Sequence, residues 1–177
     1  WCCDPVLGDI DTGIYVKPGI DAFFRDRAMP AADLVTPNHF ELEHLTGRKV
    51  STMSEALAAA RTLLEGPRLA LVTSLRRADA PAGQIEMLAV ARDAAWRIAT
   101  PLIDFEIAPN GTGDAVAALF CAHWIESGDI AGALGKAASS IFAVLEATHA
   151  MGERELQLVA AQERLVAPTR RFTAEKL

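Results

Sequence analysis

The chain has 177 residues, 51% of them hydrophobic, enough for one α/β domain with a sizeable core. Its formal charge is −6, with acidic and basic residues interspersed and no basic run, which excludes bare nucleic acid as the expected partner. Any anionic ligand must then be captured locally. Cys2, Cys3 and Cys121 have neither metal-ligand spacing nor a disulfide framework, which suits a reducing cytoplasm. The longest apolar run, Ala115 to Ile125, is too short to cross a bilayer, so no membrane is expected.

In chain order, Trp1-Cys2-Cys3-Asp4-Pro5-Val6 reads as the end of a buried strand. A chain that opens in mid-strand without Met is expected to be a piece of a longer protein. Asp4-Pro5-Val6-Leu7-Gly8-Asp9 follows, with two carboxylates that could share a cation, although Asp, Pro and Gly also make an ordinary turn. Pro18 to Arg27 has helical spacing, with Pro18 at the first position and Ile20, Phe23 and Phe24 on one side. Asp33 to Thr36 is a short buried strand ended by Pro37. A helix then begins at Asn38 and is capped by Gly47. Asn38 and Glu41 stand at capping-box spacing, and a metal–water site would make the same demand. His39 and His44 miss the spacing of a helical metal pair and read as ordinary residues.

Thr52 to Glu55 opens a helix through Leu64, which Gly66-Pro67 stops. Leu69 to Thr73 is a buried strand with the Thr73 and Ser74 hydroxyls at its end. Ala78 to Gly83 is a loop, and Ile85–Val90 and Ala94–Ala99 form an antiparallel hairpin about Arg92-Asp93. An irregular loop, Thr100 to Pro109, leads to Asn110-Gly111-Thr112-Gly113-Asp114 and then to an apolar run expected to be a helix buried on every face. Asp129 is expected to cap a long helix to about Met151, and Leu156 to Leu165 to form a last helix before a surface tail. No repeat or linker divides the chain, so one domain is expected over residues 1–177.

The glycine turn carries most of the chemistry. A turn feeding a helix leaves backbone N–H groups unpaired and backs them with the positive end of the helix dipole, which suits phosphate. A carboxylate beside bound phosphate is repelled unless a metal or a proton-transfer task keeps it, so Asp114 points to phosphoryl transfer. Asp4, Thr36 and Thr73/Ser74 each stand at a strand end, and in a doubly wound sheet such ends line one edge.

D-P-V-L-G-D, T-P-N-x-F-E-L-E and G-T-G-D before an apolar helix occur in this order in the pyridoxal kinases of the ribokinase-like superfamily, which the chain resembles. E-L-Q-L-V-A-A-Q-E-R and F-T-A-E-K-L look like the bacterial PdxY type. The resemblance covers essentially the whole sequence and corresponds to the carboxyl-terminal, ATP-binding part of that fold. It implies a three-layer α/β/α sandwich, lacking its amino-terminal strands, that moves the γ-phosphoryl of ATP to the 5′-hydroxymethyl of pyridoxal.

On this resemblance Asp114 is the general base facing the substrate hydroxyl. The N–H groups of Gly111, Thr112 and Gly113 would stabilise the transferring phosphoryl. Asp4, Asn38 and Glu41 would hold Mg²⁺, in part through water, with Asp9 nearby. Thr36, Thr73 and Ser74 would reach the nucleotide phosphates or a monovalent cation such as K⁺, and Thr100-Pro101-Leu102-Ile103 would lie along the nucleotide. The resemblance also implies a homodimer for the full-length protein, a vitamin pocket supplied by the amino-terminal part, and an inactive fragment without it. Hydroxymethylpyrimidine kinase is the nearest rival, but that family usually carries cysteine where Asp114 stands and lacks Gly8-Asp9. A non-catalytic nucleotide-binding module is the third reading.

Overall fold

The fold begins with three very short strands, Cys2–Cys3 (β1), Gly8–Asp9 (β2) and Gly13–Ile14 (β3), the last two an antiparallel pair of their own. In the computed structural model, which describes residues 1–177, the chain divides into two compact units. Residues 1–97 with 176–177 form the first and residues 98–175 the second.

In the first unit, Ile20–Phe23 is a single α-turn (α1), followed by a π-turn over Phe24–Ala28 and a 3₁₀ turn over Met29–Ala31. This corrects the expectation of one helix from Pro18 to Arg27. Gly19 sits at the N-cap with φ 92°, and Ile20 and Phe23 are 39% and 56% exposed, so no buried face holds a regular helix there. Leu34–Val35 (β4) follows, then His39–Thr46 (α2), Met53–Thr62 (α3) and a 3₁₀ turn over Leu63–Glu65, which replaces the last two residues, Leu63 and Leu64, of the expected helix. Both helices carry complete capping boxes, Asn38/Glu41 and Thr52/Glu55, and Gly47 ends α2 at φ 66°. Leu69–Leu75 (β5) and Gln84–Ala91 (β6) are antiparallel, and β6 turns into Ala95–Pro101 (β7), with the Ala91 N–H donating to Ala94 O. β1, β4 and β5 run parallel. The core of this unit gathers Val35, Ala70 and Val72 from the strands, Leu42 and Leu45 from α2, and Ala56, Ala59 and Ala60 from α3. The last three have the i, i+3, i+4 spacing of one helix face.

In the second unit, Thr112–Ser127 is α4, Ile130–Met151 is α5 and Gln162–Val166 is α6. The sheet order is β1-β4-β5-β6-β7-β8, with β8 at Glu175–Lys176. The class is therefore mixed α/β. Several sequence expectations change here. α4 begins at Thr112, so Gly113 and Asp114 belong to its first turn. It is not buried on every face: Val116, Ala117 and Phe120 are buried, whereas Ala118 is exposed and Ile125 is 76% exposed. Asp129 takes the N-cap position of α5 without a side-chain cap bond.

Residues 156–161 make turns rather than helix, and the expected surface tail is anchored. The Phe172 N–H donates to Ser139 Oγ, its ring packs edge-on against Phe142, and the Arg170 guanidinium lies over both rings. α5 is long and apolar enough to span a bilayer by length and composition, but Leu134, Ile141, Phe142 and Val144 are buried within the protein, as a core helix requires.

Candidate functional site

Three parallel strands deliver their carboxyl ends to one side of the first unit. Asp4 follows β1, Thr36 follows β4, and Thr73 lies near the end of β5. Thr36 Oγ1 donates to Asp4 Oδ1 at 3.1 Å, and the Thr36 N–H donates to Cys3 O at 3.1 Å. The Thr73 N–H donates to Pro37 O at 3.0 Å, and Asn38 pairs with Thr73 in a parallel bridge. Asp4, Thr36, Asn38, Glu41 and Thr73 are thus joined through hydrogen bonds along neighbouring strand ends.

Glu41 is the hub of this corner. Its side chain is 2% exposed as a residue and accepts the N–H of Leu7 at 2.6 Å, of Gly8 at 3.4 Å and of Asn38 at 2.9 Å. Asn38 Oδ1 takes the Glu41 N–H, and Asn38 Nδ2 donates to Gly8 O at 2.8 Å. One local capping box therefore also ties down the Asp4–Asp9 loop, more than thirty residues away in sequence. Gly8 is needed there for close approach: a Cβ would lie 2.5 Å from Gly13 O and 2.6 Å from Phe40 Cε1. Val6, in the same loop, has φ 37°, a conformation β-branched residues avoid. Backbone strain at such a position persists only where neighbours enforce it.

Electrostatically the corner is acid-rich. Burial pushes the Glu41 carboxyl above its ordinary range; the three backbone N–H groups oppose that, and Asp9 adds to it. Burial, with help from Asp4, raises the Cys3 thiol to about 11, so Cys3 is an inert core residue. No three His, Cys, Asp or Glu side chains converge to cage a metal. Both Glu41 oxygens and Asn38 Oδ1 are already used by backbone N–H groups. The donor chemistry fits a hydrated Mg²⁺ that takes one or two carboxylates and completes its shell with water and phosphate. Asp9 Oδ1 accepts the Asp11 N–H at 3.0 Å, within its own turn.

The second unit presents the other half of the expected chemistry. Gly111 takes φ 82° at the N-cap of α4, and no side chain caps the helix. Thr112 Oγ1 turns back to donate to Pro109 O at 3.0 Å, so its hydroxyl is directed away from the helix N–H groups. Asp114 is exposed in the first turn, and a Cβ on Gly113 would meet nothing within 4 Å. Open backbone donors, a helix dipole and an exposed carboxylate therefore share one turn. Thr100 and Pro101 close β7 rather than opening the loop; Thr100 is buried and Leu102 is 44% exposed.

Ser74 is exposed with φ 50°. Residues that sequence spacing had left out frame it. The Arg76 N–H donates to His39 Nδ1 at 3.1 Å, and Arg77 and Arg97 both bond the buried Glu86. The only sequence trace of His39 is its place beside the Asn38 cap. The Glu86 pairings cross a sheet, which spacing does not reveal.

The model of the family described as phosphomethylpyrimidine kinase matches residues 1–158. Among curated proteins the chain is 55% identical over 179 residues to pyridoxal kinase PdxY of Rubrobacter xylanophilus and 50% identical over 182 residues to that of Deinococcus radiodurans. Each match covers 100% of the chain and 61% of the relative, so the chain spans less than two thirds of the length of these relatives. Among solved structures, the pyridoxal kinase of Leishmania donovani in complex with ADP and ginkgotoxin superposes with a TM-score of 0.88 at 28% identity. That match covers 99% of the chain and 61% of the other. The fold is the one this kinase has, as the motifs led us to expect.

Proposed function

The chain belongs to the phosphomethylpyrimidine kinase family, and from that premise we propose that the whole protein transfers the γ-phosphoryl of ATP to the 5′-hydroxymethyl of pyridoxal, giving pyridoxal 5′-phosphate. The observation that carries this reading is the first turn of α4, where the exposed Asp114 carboxylate shares a turn with uncapped backbone donors. A carboxylate beside a phosphate site has a reason to be there if it takes a proton from the attacking hydroxyl. The N–H groups of Gly111, Thr112 and Gly113 then receive charge that spreads over the transferring phosphoryl.

In the first unit, Asp4 and Asp9 are the carboxylates that would meet Mg²⁺, with Asn38 and Glu41 acting through water because their oxygens already hold backbone N–H groups. The metal would supply charge neutralisation between the phosphates. Thr36, Thr73 and Ser74 offer hydroxyls to the nucleotide phosphates or to a monovalent cation such as K⁺. Thr100 to Ile103 would line the nucleotide. We read residues 1–177 as the ATP-binding, carboxyl-terminal portion of one ribokinase-like domain, cytoplasmic and homodimeric when complete. Relatives at 55% and 50% identity carry the name pyridoxal kinase, which favours pyridoxal over hydroxymethylpyrimidine as the acceptor.

The test is phosphoryl transfer with ATP, Mg²⁺ and K⁺, read as pyridoxal 5′-phosphate absorbance when pyridoxal is the acceptor and as ADP release when either pyridoxal or hydroxymethylpyrimidine is supplied. It is run on this chain and on a form extended at its amino terminus to the length of the relatives. Activity of the extended form on pyridoxal supports the reading; activity on the pyrimidine alone replaces it. In the active form Asp114→Ala should lower turnover by about 10²–10⁴-fold with nucleotide affinity nearly unchanged. Near-normal turnover removes Asp114 from the chemistry.

A further inference from the structure

Resting on that reading of Thr73 and Ser74 as nucleotide contacts, we propose that His39 is a positioning residue for the strand-end loop that carries them. β5 and β6 fall out of step at this point. Val72 pairs with Leu88 and Leu75 with Glu86, so three steps along β5 answer two along β6. The extra residue is a β-bulge, and Ser74 within it takes φ 50° and stands exposed. For a residue with a Cβ this conformation is unfavourable, and it persists only where the surroundings fix it.

His39 supplies one such fixture from the other strand end. Its Nδ1 accepts the Arg76 N–H, two residues after Ser74. A backbone N–H can only donate, so Nδ1 is the unprotonated nitrogen and Nε2 carries the proton. Nε2 then donates to Val50 O at 3.0 Å. Val50 is buried, and its own N–H donates to Glu43 Oε1 at 2.7 Å, so α2 grips Val50 through His39 and Glu43, one turn apart. The imidazole is a rigid strut between a buried anchor and the Ser74 loop. It stands next to Asn38, which itself bridges to Thr73. The two residues at the start of α2 therefore grip the β5 end on both sides of Ser74. Arg77 and Ala78 have their own ties, to Glu86 and to Ser51 O, which leave Arg76 as the point His39 alone secures.

The experiment measures binding of Mg²⁺ with a non-hydrolysable ATP analogue by calorimetry, on the protein and on His39→Leu and His39→Gln, with amide hydrogen exchange at Arg76 in each. Leu fills the space with neither donor nor acceptor, whereas Gln can offer both. We expect about tenfold weaker nucleotide binding in His39→Leu, the worth of one well-placed hydrogen bond, with the Arg76 amide exchanging freely. His39→Gln restores both. A folded His39→Leu that binds like the wild type overturns the proposal, as does equal weakening in the Leu and Gln variants. Should His39→Leu not fold, an unprotected Arg76 amide in the wild type overturns it as well. If the wild type binds no nucleotide, the proposed function has failed first and this role falls with it.

Discussion

Two buried carboxylates in the first unit, Glu41 and Glu86, are 2% and 1% exposed and yet live by opposite electrostatics. Glu86 sits between two guanidinium groups: Arg77 bonds it at 2.7 and 3.0 Å and Arg97 at 2.6 Å. Burial alone would raise its carboxyl, but the two arginines overcome that and hold it below the ordinary range. Glu41 has only backbone N–H partners, and burial wins, so its carboxyl is raised. The first is charge neutralised within the fold. The second is charge left over at a corner that also holds Asp4 and Asp9. A compensated buried charge is structural; an uncompensated one fits a place where a cation is expected to arrive.

The sharpest way to break this contrast is to remove Glu86. Glu86→Ala leaves two guanidinium groups facing each other without their anion, Arg77 almost wholly buried. It should destabilise the protein by about 3–5 kcal/mol in urea unfolding. A loss under about 1 kcal/mol would mean the pair is solvent-screened like any surface bridge and the contrast is empty. Glu41→Gln should cost less, about 1–3 kcal/mol, because one amide oxygen still accepts while the amide nitrogen faces a backbone donor. Its distinguishing readout is Mg²⁺-dependent nucleotide binding, which should weaken in Glu41→Gln and stay unchanged in Arg97→Gln. Equal weakening in both variants would assign the effect to general loosening.

What was legible in the sequence follows the same division. The capping boxes at Asn38/Glu41 and Thr52/Glu55 are three-residue patterns, and both form as the spacing demands. The order of hydroxyl and carboxylate at successive strand ends was legible too, because parallel pairing of β1, β4 and β5 carries it directly into space. The work of Glu41 on Leu7 and Gly8, and of His39 on Arg76, joins residues more than thirty positions apart, and no periodicity encodes that. The apolar run of α4 misled in another way. Composition records which side chains avoid water, but whether a face is covered depends on what packs there, and Ala118 and Ile125 are exposed. The last residues looked polar enough for a tail, yet Phe172 and Arg170 pin them to Phe142 through ring contacts that need α5 already in place.

The smallest expected effect separates the two carboxylates most cleanly, because their pH dependences have opposite sign. A carboxyl whose folded pKa is depressed binds fewer protons in the folded state, so its stabilisation is full above the ordinary value of 4.5 and fades as pH falls through the folded value. The destabilisation by Glu86→Gln should therefore be full near neutrality and shrink on acidification. Glu41 has a raised folded pKa, so the folded state holds the proton longer than the unfolded one. Its ionisation works against folding as pH climbs from 4.5 through the folded value, and the destabilisation by Glu41→Gln should be largest at acid pH and shrink as pH rises. Unfolding free energies of both variants and the wild type, measured from about pH 2, below the ordinary carboxylate range, to about pH 8, check this directly. Parallel pH profiles for the two variants would show that Glu41 is already neutralised within the fold, and the corner would have no surplus charge to offer a cation. Adding Mg²⁺ and nucleotide then sharpens the result: a bound cation lowers the Glu41 carboxyl and should flatten its profile, leaving that of Glu86 unchanged.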